Sequence, residues 1–136
     1  MSEIGKAIYS LLSASGGTVY GIVGLRITPE ARTQGTAVPS IVYSISEDES
    51  YPSLSVTGGF RKAQVEIMSI AATAAGASAL NDAARTMMHG AFGTYSSTVI
   101  LHCLHTKSLS NYQAPAAGET TGVFIHSSMY SIMYSE

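Results

Sequence analysis

A chain of 136 residues has the length of one domain, and a hydrophobic share of 46% is enough to build a core. Charged residues make up 12%, about half the usual share, and the net charge is −2. Seven Lys and Arg without a run exclude the broad basic footprint of a nucleic-acid binder, and a single cysteine excludes an intrachain disulfide framework.

The lone Cys103 fits a reducing compartment. MSEIGKAIYSLL carries an early glutamate and polar residues within its apolar stretch, which makes a poor signal peptide. No uninterrupted apolar run is long enough to span a membrane, so a soluble single domain over residues 1–136 is expected. Two readings of the scarce charge stand side by side. One is a Ser/Thr-rich surface with no special meaning. The other is a subunit whose outer faces are covered in an assembly, where unpaired charges would be costly to desolvate.

Ser2 is placed to cap a first helix over residues 3–15, with Ile4, Ala7, Ile8, Leu11 and Leu12 as its apolar stripe. Gly16 and Gly17 end it. A Gly- and Thr-rich segment follows, read as a short helical turn or extended piece through residues 25–27 and then a loop to Pro39. Residues 39–46 read as a strand, with Ile41, Tyr43 and Ile45 on one face and Val42 on the other. Glu47, Asp48 and Glu49 are expected to form an acidic turn, solvated rather than metal-binding, because adjacent carboxylates in a turn diverge. A weaker strand over 51–56 and a turn over 57–59 complete an antiparallel meander.

The stretch from Phe60 to Gly93 organises the rest. Lys62, Gln64 and Glu66 alternate with Ala63, Val65 and Ile67, the period of a half-buried strand. After Thr73 the period changes: Ala77, Leu80, Ala84, Met87, Met88 and Ala91 share one helical face, while Ser78, Asp82, Arg85 and His89 share the other. Gly90 stands where a helix C-cap glycine belongs. Residues 94–97 then turn into a strand over 98–106. Its two faces, Val99, Leu101, Cys103 and His105 against Ile100, His102 and Leu104, are both largely apolar, which predicts an internal position. Residues 107–122 read as a loop and 123–134 as the last strand, with Met129 and Met133 opposite Tyr130, Ile132 and Tyr134. The resulting class is α+β: an antiparallel or mixed sheet of about five strands with two helices on one face, in the order α-β-β-β-α-β-β.

Chemistry is sparse. Cys103 and His105 point the same way from one strand and His126 lies on the next, but no CxxC or HExxH spacing supports a metal site, and a core thiol beside half-buried histidines is the commoner outcome. No GxSxG elbow exists, and GGTVYGIVG lacks phosphate-binding spacing. No catalytic, cofactor or metal residue is assigned. Tyr43, Tyr51, Tyr112, Tyr130 and Tyr134 are either interface anchors, for which tyrosine offers large area with a polar tip, or ordinary strand residues.

AIYSLLSA, VYGIVGLRITPE, VPSIVYSISED, TGGFRKAQVEI and ASALNDAARTMMHG follow one another before a terminal alternating strand. That order, with the R-I-x-P of residues 26–29 and the P-x-I-V-Y of 39–43 as its most telling parts, resembles the tail-completion or tail-terminator proteins of long-tailed bacteriophages and gene-transfer particles. The resemblance implies a hexameric ring on the head-proximal end of the tail tube. Such a ring stops tube polymerisation and joins the tail to the head connector, without catalysis or cofactor. Implied partners are further copies of itself, the tail-tube protein and a head-completion protein. DNA passes the lumen without specific binding, and no membrane is involved. The place is the tail or neck of a virion assembled in the host cytoplasm. Segments 28–38 and 107–122 are then expected to make ring, tube or connector contacts. Arg26, Arg32, Tyr43, Tyr112, Tyr130 and Tyr134 are the candidate interface residues. Segment 107–122 is longer than the family's pattern. Alternatives are another head–tail adaptor, a tail-tube subunit, or a small ligand- or metal-binding domain using His102, Cys103, His105 and His126.

Overall fold

Two residues separate the central strand from the helix that follows it, and the rest of the molecule is arranged around that join. The computed structural model describes residues 3–13, 18–23, 26–29, 39–53, 56–96, 98–113 and 122–135. In chain order they form α1 (Glu3–Leu12), α2 (Thr18–Val23), β1 (Ile27–Pro29), β2 (Ser40–Ser53), β3 (Val56–Ala71), α3 (Ala74–Met88), β4 (Gly93–Tyr95), β5 (Thr98–Gln113) and β6 (Val123–Ser135). The strands make one six-stranded mixed sheet in the order β1-β2-β3-β6-β5-β4. Only β1 and β2 run parallel; every other pair is antiparallel.

The helices cover one face of the sheet, because each strand puts its apolar parity there. Ala63, Val65 and Ile67 of β3 are fully buried, as are Tyr130 and Ile132 of β6, and they join Ile41, Ile100 and Cys103 in one core. The stripe predicted for α1 closes that core from above: Ile4, Ala7, Ile8, Leu11 and Leu12 are all buried. Truncating any one of the larger of these to alanine removes about 2–5 kcal/mol. Thr73 caps α3 by accepting from the Gly76 N–H at 3.0 Å, and Gly90 takes the left-handed φ of 79° expected just past its end. Its buried face holds Ala77, Leu80, Ala84 and Met88, with Met87 and Ala91 half-buried as expected. A smaller cluster of Val42, Ile70 and Val123 lies on the opposite face.

Several expectations are corrected. There are six strands and three helices among the described residues, so the order is α-α-β-β-β-α-β-β-β. Residues 18–23 are a helix, and residues 27–29, expected in part as loop, form a strand parallel to Ile41–Tyr43 of β2. The acidic triplet is no turn. Residues 47–49 stay in β2 and pair with Gln64, Ala63 and Lys62, because two bulges let the strand continue as far as Ser53. The three-strand meander is therefore one long hairpin. Residues 107–113, expected as loop, extend β5 along β6. No helix among the described residues is long and apolar enough to cross a membrane.

One polar contact missed in the sequence ties α3 to the sheet. Buried Ser128 donates to Oδ1 of buried Asn81 at 2.6 Å. Ser128→Ala leaves that amide oxygen with its donor removed and should destabilise the protein by about 1–3 kcal/mol in chemical denaturation, with an unchanged m-value.

Candidate assembly surface

The candidate interface residues scatter. Tyr43, Tyr130 and Tyr134 are core residues, 2%, 0% and 1% exposed, so they are corrected from interface anchors to packing. The parity is the reason: Tyr43 shares its face with Ile41, and Tyr130 and Tyr134 share theirs with Ile132. The Arg61 guanidinium also lies 5.9 Å from the Tyr134 ring centroid. Arg26 works inside the fold. Its Nε donates to the Pro39 carbonyl at 2.9 Å and its Nη2 to the Ile22 carbonyl at 3.3 Å, while its own carbonyl accepts from the Ile41 N–H. It fastens the end of α2 to the start of β2. Arg32 and Tyr51's side chain lie outside what is described. Tyr112 alone faces outward, 52% exposed, with its ring 4.9 Å from that of Phe124.

The histidine group does not converge. Cys103 pairs with Ile132 and His105 with Tyr130, whereas His126 sits opposite Ser110, well along the strand. No cluster of three metal-ligating side chains exists among the described residues. Two Ser–His contacts do form: His105 Nε2 lies 2.8 Å from Ser108 Oγ, and His126 Nδ1 lies 3.2 Å from Ser110 Oγ. The first is the better defined. Ser108 is also 3.1 Å from Ser128, so the hydroxyl belongs to a line running through Ser128 to Asn81. Burial lowers the His105 pKa, with the positive charge of Arg85 and of His89 adding to it. The network braces β5, β6 and α3 against one another.

The unusual surface is β5 itself. Val99, Leu101, Leu104, Leu109 and Tyr112 are exposed large apolar side chains, all on this one strand; Ile22 and Phe92 complete the set among the described residues. A bulge between Ile100 and His102 produces this arrangement. It breaks the strict period-two reading, so Ile100 and Cys103 both reach the core while Val99, Leu101 and Leu104 face solvent. The predicted internal position, between β6 and β4, holds only at the start of the strand. β4 covers the outer edge of β5 only at Thr98, Val99 and Ile100. Next along, the turn after α3 covers it: the Gly90 N–H donates to the Cys103 carbonyl at 2.7 Å, and the His105 N–H to His89 Nδ1 at 3.0 Å. From Lys107 to Gln113, β5 pairs only with β6 among the described residues. An edge strand bearing apolar side chains and one lysine is a template for another chain, since folded monomers usually blunt such edges with charge.

No known sequence family matches the chain, and no curated protein matches it in sequence. Among solved structures, one that matches does so over nearly its full length. The fold is similar to that of a chain in the virion of a native gene transfer agent particle. The TM-score is 0.66 at 16% identity, covering 99% of this chain and 98% of the other. At that identity the likeness establishes a shared fold.

Three outcomes follow from this geometry. Leu109→Glu should leave the unfolding free energy within about 0.5 kcal/mol, since Leu109 is 63% exposed, while weakening self-association by ultracentrifugation. Burial pushes the Cys103 thiol up to about 12, so a thiol reagent at pH 8 should label the folded protein only as it unfolds and the denatured chain at once. His105 has a folded pKa below its ordinary 6.5, so its contribution is intact above that pH and declines as pH falls toward the folded value. His105→Gln should accordingly flatten the fall in melting temperature between pH 7 and pH 5.5.

Proposed function

We propose that this chain is a structural subunit of a phage-like particle, and within it the ring that caps the head-proximal end of the tail tube. The observation that carries the coarser part is the likeness, over 99% of this chain, to a chain of a gene-transfer-agent virion. The finer part is supported by the order of segments around the R-I-x-P and P-x-I-V-Y stretches and by an edge strand with exposed apolar side chains. On this reading the chain is non-catalytic, and its partners are further copies of itself, a tail-tube protein and a head-connector protein. A slightly acidic subunit suits a lumen through which DNA must slide without being held.

A tail-tube subunit is the second reading, because an open strand edge serves a stacking ring equally well. Microscopy of negatively stained protein, paired with native mass spectrometry across concentration and repeated with tail tubes, separates the two. Closed rings of one size that do not lengthen are expected. Filaments would assign the chain to the tube, and a monomer carrying stoichiometric zinc would sink both readings. Removing residues 114–118, which follow β5, should block head–tail joining while the melting temperature holds. Normal particles from that deletion would take the joining role away from this segment.

A further inference from the structure

We infer that neighbouring copies join by strand addition: the open edge of β5 in one copy pairs with the open edge of β2 in the next. This rests on the ring reading above and names the contact that would close it.

The sheet ends unevenly on both sides. β1 covers β2 only at Ile41, Val42 and Tyr43, so from Ser44 onward β2 pairs only with β3 among the described residues. On the other side, β5 is similarly open from Lys107 to Gln113. Pro52 limits the usable part of β2, because proline cannot donate to a ladder and is confined to edges. Residues 107–111 of β5 fit against residues 44–48, which sets Lys107 opposite Asp48 and beside Glu47 and offsets the neighbouring copy by about four residues along the strands.

Direction and charge both agree. From β2 to β5 across β3 and β6 every pairing is antiparallel, so β2 and β5 run oppositely. Laying β5 of one copy beside β2 of the next, with the two sheets in the same orientation, therefore makes another antiparallel pair. The two edges are different surfaces, so the contact is head-to-tail and generates a ring when the rotation closes. The β2 stretch carries Glu47, Asp48 and Glu49 with no basic residue, and the β5 stretch carries Lys107 with no acid. Along the ladder Glu47, Asp48 and Glu49 stand in register with Gln64, Ala63 and Lys62 of their own chain. The Tyr112 N–H is held by Asn111 Oδ1 of its own strand at 2.8 Å rather than by β6. Its outward amide sets the parity by which the Ser110 amide also faces away from β6. Two copies of β2 would repel through their acids, and two copies of β5 would do so through Lys107. The unlike pair is the favoured one.

The test is a charge exchange read by native mass spectrometry. Lys107→Glu should raise the concentration at which rings half-assemble about tenfold or more, as should the double variant Glu47→Lys/Asp48→Lys. Combining all three changes should bring it back near that of the unaltered chain. Ser110→Pro provides a backbone version, expected to abolish rings while thermal unfolding stays cooperative. Rings that form undiminished in Lys107→Glu, or a combined variant that is not rescued, overturn the edge pairing and leave the ring reading standing. Should Ser110→Pro fail to fold, the charge exchange decides alone. Absence of rings from the unaltered chain, both free and on tail tubes, overturns the ring reading and this contact with it.

Discussion

The fold depends on β6 being hydrogen-bonded on both sides. It pairs with β3 along residues 61–71 and with β5 along residues 99–113, so it joins two hairpins that would otherwise be separate sheets. α3 lies across this junction and is fixed to it by Asn81 and Ser128, a contact between residues far apart in sequence. Remove β6 and the core loses Tyr130, Ile132 and Tyr134 together. Pairings of such long sequence separation are slow to form, because the entropy of closing the intervening loops opposes them before any contact rewards it.

The same arrangement explains which parts of the structure could be read from residues. The strand and helix from Phe60 to Gly93 were legible because propensity, period and caps all agree there: Val65 and Ile67 alternate with charge, Thr73 caps, and Gly90 ends the helix. α1 and the core parity of β6 were legible for the same reason. The failures concentrate at bulges. One extra residue near Ser46 lets three acids stay in a strand, and one near Leu101 inverts half of β5. A bulge is decided by the partner strand, and nothing local announces it. β1 and β4 are three residues each and exist only because a neighbouring strand offers them a ladder.

The candidate surface was less legible than the fold. Tyrosines were weighed as interface anchors, yet Tyr43, Tyr130 and Tyr134 share parity with isoleucines and sit in the core. Arg26, a candidate interface residue, instead holds backbone carbonyls of its own chain. The residues that matter, Leu104 and Leu109, lie where the sequence reads as an internal strand followed by a polar loop. The outward facing of Leu104 follows from the bulge between Ile100 and His102, and with β4 only three residues long no described strand lies beside the outer edge of β5 past Ile100. Scarce charge, left open between a plain surface and a covered one, is matched in the structure by apolar side chains gathered on one edge.

The position of β6 at the centre of the sheet also governs the order of events on the ribosome. β2 and β3 emerge first, and with them the acidic edge at residues 47–49. The apolar edge of β5 follows only later, and it has no partner in β6 until residues 123–129 have left the exit tunnel. Partly made chains on one message thus expose like charges toward one another before they expose an adhesive strand. Vectorial synthesis itself delays self-association until β6 has emerged.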